Sequence, residues 1–365
     1  MKIAILADPL DNQSAGVHTY TRELVYALSK LESREHEFLI VREKVDPDLP
    51  LEQLAVKNIH LPIGYASLRL FFIIPYLLRS HNVDAVLEPA HFGPFNLSKS
   101  VKRITMIHDL TPILFPEHHR YHSQLLQKIF LKGILKRSNI VLSNSENTSK
   151  DIRRVYPFTK NKVKTILLGR DTSFERASSR TYHNEHNVNQ PYFLCTGTIE
   201  PRKNLNLLLD AYQKFRDQSD GKTLLIFAGK LGWKTESFVS KLDNHPYKND
   251  IILTGFISKT ALIELYSHAL ALIYPSIYEG FGLPVLEAIS CGTRVICSGN
   301  SSMPEVAGEL GYYFEPTDML ALTQHMHTIA KNVITDEERK DLIQQSQKFS
   351  WDVSAQEFIE AIRNR

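Results

Sequence analysis

Short apolar runs alternate along the chain with stretches whose apolar positions recur every three or four residues. In the first half, the runs at 2–7, 38–41, 84–88, 103–107, 139–143 and 163–168 predict strands. In the second half, those at 192–196, 223–228, 250–254, 270–274, 294–297 and 311–314 do the same. Many are continuously hydrophobic rather than alternating, the pattern of parallel strands covered on both faces. Helical periodicity falls between them, at 19–31, 205–215 and 320–331. Repeated β-α units of this kind predict an α/β protein built from two Rossmann-like, doubly wound parallel sheets. The polar, aperiodic segment 170–190 reads as a linker, giving an N-terminal domain over 1–175 and a C-terminal domain over 190–349. Residues 350–365, opening with Ser350-Trp351-Asp352, predict a capped helix that packs back on the first domain. Two such domains are expected to face a cleft, because open α/β sheets bind ligands outside the carboxyl ends of their strands.

The 365 residues fit two domains, and a chain 43% hydrophobic and 23% charged is neither disordered, collagen-like nor membrane-spanning. Cys195, Cys291 and Cys297 match no zinc spacing and are too few for a disulfide framework, so a reducing cytoplasm is expected. The opening Met1-Lys2-Ile3-Ala4-Ile5-Leu6-Ala7-Asp8 meets a charge at once and reads as a strand rather than a signal peptide. The net charge of +3 hides an asymmetry. Residues 1–180 hold 26 Lys and Arg against 18 Asp and Glu, or +8, whereas the remainder holds 17 against 22, or −5. A basic first domain suits an anionic partner, either a membrane surface or nucleic acid; chance clustering of solvated charge is the plain alternative.

Four segments carry candidate chemistry. In Tyr278-Glu279-Gly280-Phe281-Gly282-Leu283-Pro284-Val285-Leu286-Glu287, two carboxylates stand eight positions apart, the first in a glycine-containing loop and the second inside a helix. Pro284 suits a first helical turn, and Gly280 and Gly282 let backbone amides approach a phosphate at the positive end of the helix dipole. Glu287 can accept hydrogen bonds from sugar hydroxyls. In Gly197-Thr198-Ile199-Glu200-Pro201-Arg202-Lys203-Asn204, two cations sit where a helix begins, an unfavourable place unless an anion such as a pyrophosphate joins them. The segment from Ala7 to His18 lacks the dinucleotide fingerprint, but Gly16 at a helix entry offers backbone donors. Finally, Ile107-His108-Asp109-Leu110 places His108 at a strand end, with Asp109 available to cap the next segment.

Together these segments resemble the retaining glycosyltransferases of family four, also called group 1, which have the GT-B fold. The likeness rests on the E-x7-E element from Glu279 to Glu287, on Pro201-Arg202-Lys203-Asn204, on His108-Asp109-Leu110, on the Gly16 loop and on the closing Phe349-Ser350-Trp351. All stand in the family's order and span nearly the whole chain. The resemblance implies that Glu279 holds hydroxyls of the transferred sugar. The amides of Gly280, Phe281, Gly282 and Leu283 surround sugar and phosphate, and Glu287 binds the nucleotide ribose. Arg202 and Lys203 clamp the departing diphosphate, His108 contacts the sugar near the reacting carbon, and Gly16 helps position the donor. In the family two adjacent glycines usually occupy that first loop; here Ala15 precedes Gly16.

With cationic side chains and amides to stabilise the leaving group, no metal or other cofactor is expected. Asp46-Pro47-Asp48 lies in a polar turn far from the other motifs, and no suitable acidic partner group accompanies His118, His119 and His122. At 123–139, Lys128, Lys132 and Lys136 recur every four residues with Arg137 beside them, while Leu126, Ile129, Phe130 and Ile134 supply an apolar face. That pattern suits a basic helix lying on anionic lipid, or an ordinary helix packed into its domain. The residues and the resemblance lead to one expectation: transfer of a hexose from a nucleotide-diphosphate sugar to a glycan or lipid-linked acceptor, with no nucleic-acid partner. The setting is bacterial polysaccharide, O-antigen or glycolipid assembly, in the cytoplasm or peripherally at the inner face of the plasma membrane. Phe115-Pro116 after His-Asp-Leu looks most like mannosyltransferases of O-antigen pathways, with GDP-mannose as donor. The rivals are a sugar-nucleotide epimerase of similar fold and a non-catalytic nucleotide-sugar-binding subunit.

Overall fold

The computed structural model describes residues 1–12, 16–57, 68–91, 93–94, 96–118, 125, 127–186 and 188–363. The chain divides into two units, Met1–Gly169 with Phe349–Arg365 and Arg170–Lys348. Residues 170–190 therefore fall within the second unit.

In the first unit, β1 (Lys2–Leu6), β2 (Glu37–Arg42), β3 (Glu52–Ala55), β4 (Ala85–Glu88), β5 (Lys102–Ile107), β6 (Ile140–Ser143) and β7 (Val163–Thr165) form one sheet in the order β3-β2-β1-β4-β5-β6-β7. In the second, β8 (Tyr192–Thr196), β9 (Leu224–Ala228), β10 (Ile251–Gly255), β11 (Ala271–Tyr274), β12 (Val295–Ser298) and β13 (Tyr312–Phe314) follow the order β10-β9-β8-β11-β12-β13. Neighbours in both sheets are parallel, with Ile3 opposite Phe38 and Ala85 in the first, and Leu272 opposite Leu194 and Val295 in the second. The central strands are buried along their whole length, as continuous apolar runs require. β3 was not expected: Glu-Gln-Leu-Ala is a half-exposed edge strand with no apolar run to reveal it.

The helices used below are α1 (Gly16–Ser29), α2 (Lys132–Arg137), α3 (Thr181–Glu185), α4 (Leu205–Asp217), α5 (Lys259–His268), α6 (Leu283–Ser290) and α7 (Trp351–Arg363). The core of the second unit is built by Leu208, Leu209, Tyr212 and Phe215 of α4 against the apolar faces of β8, β9 and β11. In the first unit, Leu6, Leu39, Val41, Ile74 and Leu78 pack on one part of the sheet, and Leu131, Leu135, Val141 and Ile152 on another. α7 packs against α1. Its Ser354 hydroxyl donates to the Leu167 carbonyl at 2.6 Å, and Trp351 lies so close to Gly169 that a Cβ there would stand 2.2 Å from the Trp351 nitrogen. The segment read as a linker is anchored to the second unit. His183 on α3 is buried, with Nδ1 2.6 Å from Glu264 of α5 and Nε2 2.9 Å from the Tyr192 hydroxyl.

Candidate active site

Each sheet reverses its winding at one place, between β1 and β4 and between β8 and β11. Sheets of this order bind ligands outside the strand ends at such a point. The motif residues leave those strands. In the second unit, β8 runs into Gly197, whose φ of +106° favours glycine, and then into a 3-10 turn at Pro201–Lys203. Asn204, at φ 56°, turns the chain again before α4 starts at Leu205. Arg202 and Lys203 thus precede α4 rather than form its first turn. The anion that two cations at a helix entry call for comes from the chain itself.

Arg202 Nη1 stands 2.6 Å from Glu279 Oε1, and Nη2 2.6 Å from Glu200 Oε1. Lys203 Nζ lies 2.8 Å from the same Glu279 oxygen and donates to the Tyr274 hydroxyl at the end of β11. Two cations are balanced by two carboxylates, all largely withdrawn from water. Burial works against the charged form of Glu279, but the adjacent charges of Arg202 and Lys203 outweigh it and hold the carboxyl at about 2. The same pairing strengthens the Arg202 cation in spite of its burial.

The Glu279 backbone is held from a turn after β12. Its N–H donates to Ser301 Oγ at 3.1 Å, and the Ser302 hydroxyl donates to its carbonyl at 3.0 Å. Asn300 Nδ2 donates to the Ile277 carbonyl at 2.7 Å, and Arg202 Nη1 donates to the Tyr278 carbonyl at 2.7 Å. The loop Gly280, Phe281 and Gly282 is buried and enters α6 through Gly282, whose φ of 102° and ψ of 47° a side chain would resist. Leu283 and Pro284 open the helix, and Glu287 projects from its second turn, half-buried. Burial pushes the Glu287 carboxyl up to about 7, against a hydrogen bond of 2.9 Å from the Tyr266 hydroxyl. Sequence reasoning missed Glu200, Tyr274, Ser301 and Ser302. Of these, the polar Asn300-Ser301-Ser302 cluster directly after a strand was the detectable signal.

In the first unit, His108 follows β5. Its Nε2 lies 2.7 Å from the Pro89 carbonyl, which can only accept, so Nε2 carries the proton. Burial, with His91 close by, lowers its basicity to about 4, leaving a neutral ring. His91, in the left-handed region at φ 67°, accepts the His108 backbone N–H at 2.8 Å. Tyr20 of α1 meets the His108 ring edge-on at 4.9 Å. Asp109 does not sit at the N-cap of the next helical turn, which is Leu110, but accepts from the backbone and hydroxyl of Thr111 at 2.8 Å and 2.6 Å just ahead of it. Gly16 is exposed at the start of α1. Earlier in the chain, Asp8 receives the Arg69 fork at 2.6 Å and 2.8 Å, and Asp11 is reached by Arg42 at 2.8 Å. Ala15, the departure from the double glycine, lies outside the described residues, as do Leu126, His119 and His122.

The basic segment differs from a single amphipathic helix. Gln127–Leu131 is a π-helical turn that shifts the register before α2. Leu131, Ile134 and Leu135 consequently face the core, whereas Ile129 and Phe130 stay exposed, at 58% and 37%, beside exposed Lys128, Lys132, Lys136 and Arg137. Ile134 and Ile129 do not share the apolar face expected of them. Among the described residues, no helix is long and apolar enough to cross a membrane. Among the same residues, no group of three or more His, Cys, Asp and Glu is placed to hold a metal ion.

A family model described as glycosyl transferases group 1 matches residues 179–349, and one described as glycosyltransferase family 4 matches residues 14–174. The chain is 27% identical over 384 residues to O-antigen chain mannosyltransferase B of Escherichia coli, a match that takes in 100% of both chains. Among solved structures it resembles sucrose-phosphate synthase from Thermosynechococcus elongatus, with a TM-score of 0.74 at 19% identity over 100% of this chain and 98% of that one. It is equally similar to the Anabaena protein HepE in complex with UDP-glucose, with a TM-score of 0.74 at 16% identity and 100% of both chains covered.

Proposed function

Because the chain belongs to glycosyltransferase family four, group 1, and has the GT-B fold, we propose that it moves a hexose from a nucleotide-diphosphate sugar to a glycan or lipid-linked acceptor, with retention of configuration and without a metal. The observation that carries this reading is the sharing of one buried carboxylate, Glu279, by two cations at the switch point of the second sheet.

Breaking the anomeric bond builds positive charge on the sugar and negative charge on the departing diphosphate. Arg202, as a planar fork, and Lys203, as a compact charge, suit that diphosphate. A diphosphate reaching them exchanges with the Glu279 carboxylate, which is then released to accept from sugar hydroxyls. The amides around Gly280, Phe281, Gly282 and Leu283, at the positive end of α6, add to the stabilisation. Donors of this kind contribute roughly 3–4 kcal/mol each where they are preorganised. Glu287 takes the ribose hydroxyls. Neutral His108 accepts from, or packs on, the transferred sugar, and Gly16 supports the donor from the first unit.

We assign the acceptor to the first unit, whose basic and apolar groups suit a lipid-linked substrate at an anionic membrane surface. Lys128, Lys132, Lys136 and Arg137 supply the charge, Ile129 and Phe130 the apolar contact. The similarity to an O-antigen mannosyltransferase along the whole chain supports mannosyl transfer from GDP-mannose in lipopolysaccharide assembly, at the cytoplasmic face of the membrane. The test is turnover across a panel of nucleotide sugars, with and without a lipid-linked mannosyl acceptor. Acceptor-dependent release of nucleoside diphosphate is expected. Conversion of the sugar nucleotide without acceptor would make the protein an epimerase, and binding without turnover a partner subunit.

A further inference from the structure

Tyr266, on α5, is wholly buried, yet its hydroxyl touches two of the segments that form the candidate site. It lies 2.9 Å from Glu287 Oε2 on α6 and 2.9 Å from Thr196 Oγ1, the last residue of β8. A phenol has one proton to give. The carboxylate can only accept it, so the Thr196 hydroxyl donates in turn to the phenol oxygen. Phe174 packs against the ring at 6.0 Å with the planes 65° apart, and the Thr293 hydroxyl holds the backbone by donating to the Tyr266 carbonyl at 2.6 Å.

We propose that Tyr266, oriented by Thr196, is a positioning residue for donor binding. It occupies Oε2 of Glu287, leaves Oε1 to the ribose hydroxyls and favours the accepting, ionised form of the carboxylate. This rests on the reading of Glu287 as the ribose-binding group. A buried carboxylate that has lost its donor protonates more readily, and a protonated carboxyl presents a donor where the ribose hydroxyl expects an acceptor. Among the described residues, titratable groups from several segments face Glu287. Tyr266 and Lys259 come from α5, Asp171 from the segment ahead of Phe174, Lys203 from the turn after β8, and Cys291 from the residue after α6. Burial disfavours the Glu287 charge most, and Asp171 adds to this. Tyr266 is the largest opposing influence, ahead of Lys259 and Lys203.

The test uses the full-length Tyr266→Phe variant, with donor KM and kcat, GDP and UDP affinity by calorimetry and thermal stability at pH 6.5, 7.5 and 8.5. Loss of a hydrogen bond to a charged group predicts a rise of about fivefold to tenfold in donor KM and nucleotide Kd near neutral pH. The rise should be larger at pH 6.5 and smaller at pH 8.5, with kcat within about twofold. Thr196→Val should move the same quantities in the same direction by less. Glu287→Gln should flatten the pH dependence, and adding Tyr266→Phe to it should change little more. An unchanged KM, or one that shifts equally at every pH while Tm falls, would reduce Tyr266 to a core residue. If Glu287→Gln weakens nucleotide binding and Tyr266→Phe does not, the positioning role alone fails. If Glu287→Gln leaves nucleotide affinity intact, the ribose assignment falls and takes the positioning role with it.

Discussion

Replacing Glu279 by Gln separates what the carboxylate does for the resting protein from what it does for the reaction. The amide keeps the shape but removes the charge that Arg202 and Lys203 share at 2.6 Å and 2.8 Å. Removing one partner of a buried ion pair costs about 3–5 kcal/mol. Here Glu200 still faces Arg202 at 2.6 Å, and the group retains some exposure, so about 2–3 kcal/mol is expected. The acidity gives a similar answer: lowering a carboxyl from 4.5 to about 2 corresponds to about 3 kcal/mol. In a unit of this size that is a fall in Tm of roughly 4–12 °C. The sign with pH is fixed as well. A carboxyl whose folded value is depressed stabilises the fold above its unfolded value and loses that contribution as pH falls from about 4.5 to about 2, so Glu279→Gln should approach the parent's stability at the acid end of that window. Nucleotide binding should respond in the opposite sense. Without a competing carboxylate, GDP or UDP should bind at least as tightly and raise Tm by more than in the parent, while sugar transfer falls by about 10²-fold or more. Differential scanning fluorimetry with and without nucleotide, beside a transfer assay, reads all three. Intact transfer, or a tenfold loss of nucleotide affinity, would refute the idea that Glu279 and the diphosphate compete for the same cations.

Three further outcomes are expected. Saturating chelator should leave transfer by the purified enzyme unchanged, and a strict need for a divalent cation would overturn the proposed leaving-group stabilisation by side chains. Replacing Lys128, Lys132 and Lys136 by Glu should weaken sedimentation with anionic liposomes, whereas equal binding would dismiss the interfacial role. Gly93→Ala would set a Cβ 2.1 Å from the buried Glu88 carboxyl carbon, so its Tm should drop by an amount matching about 1–3 kcal/mol of overpacking; an unchanged melting curve would contradict that packing.

The strands were legible because parallel strands buried on both faces must be continuously apolar, as Tyr192–Thr196 and Leu224–Ala228 are. Glu52–Ala55 was not, since an edge strand needs no apolar face. The shift in register at Gln127–Leu131 was invisible to a fixed helical period, and it is what moved Ile134 inward and left Ile129 outside. At the site, residue types and spacing pointed to the segments around Arg202 and Glu279 but not to their mutual pairing. Charge compensation between a turn after β8 and a loop after β11 depends on which strands the sheet makes neighbours. The same holds for Tyr266 and His91. Both act through hydrogen bonds to groups distant in sequence, and neither sits in a motif that announces a polar task.

A crystal structure with a bound nucleotide sugar would show whether the diphosphate displaces Glu279 from Arg202 and Lys203. Both phosphorus atoms should lie within about 4 Å of the Arg202 guanidinium or the Lys203 ammonium, with Glu279 turned from those cations to the sugar hydroxyls. Phosphates bound elsewhere, with the Arg202–Glu279–Lys203 cluster intact, would contradict that displacement.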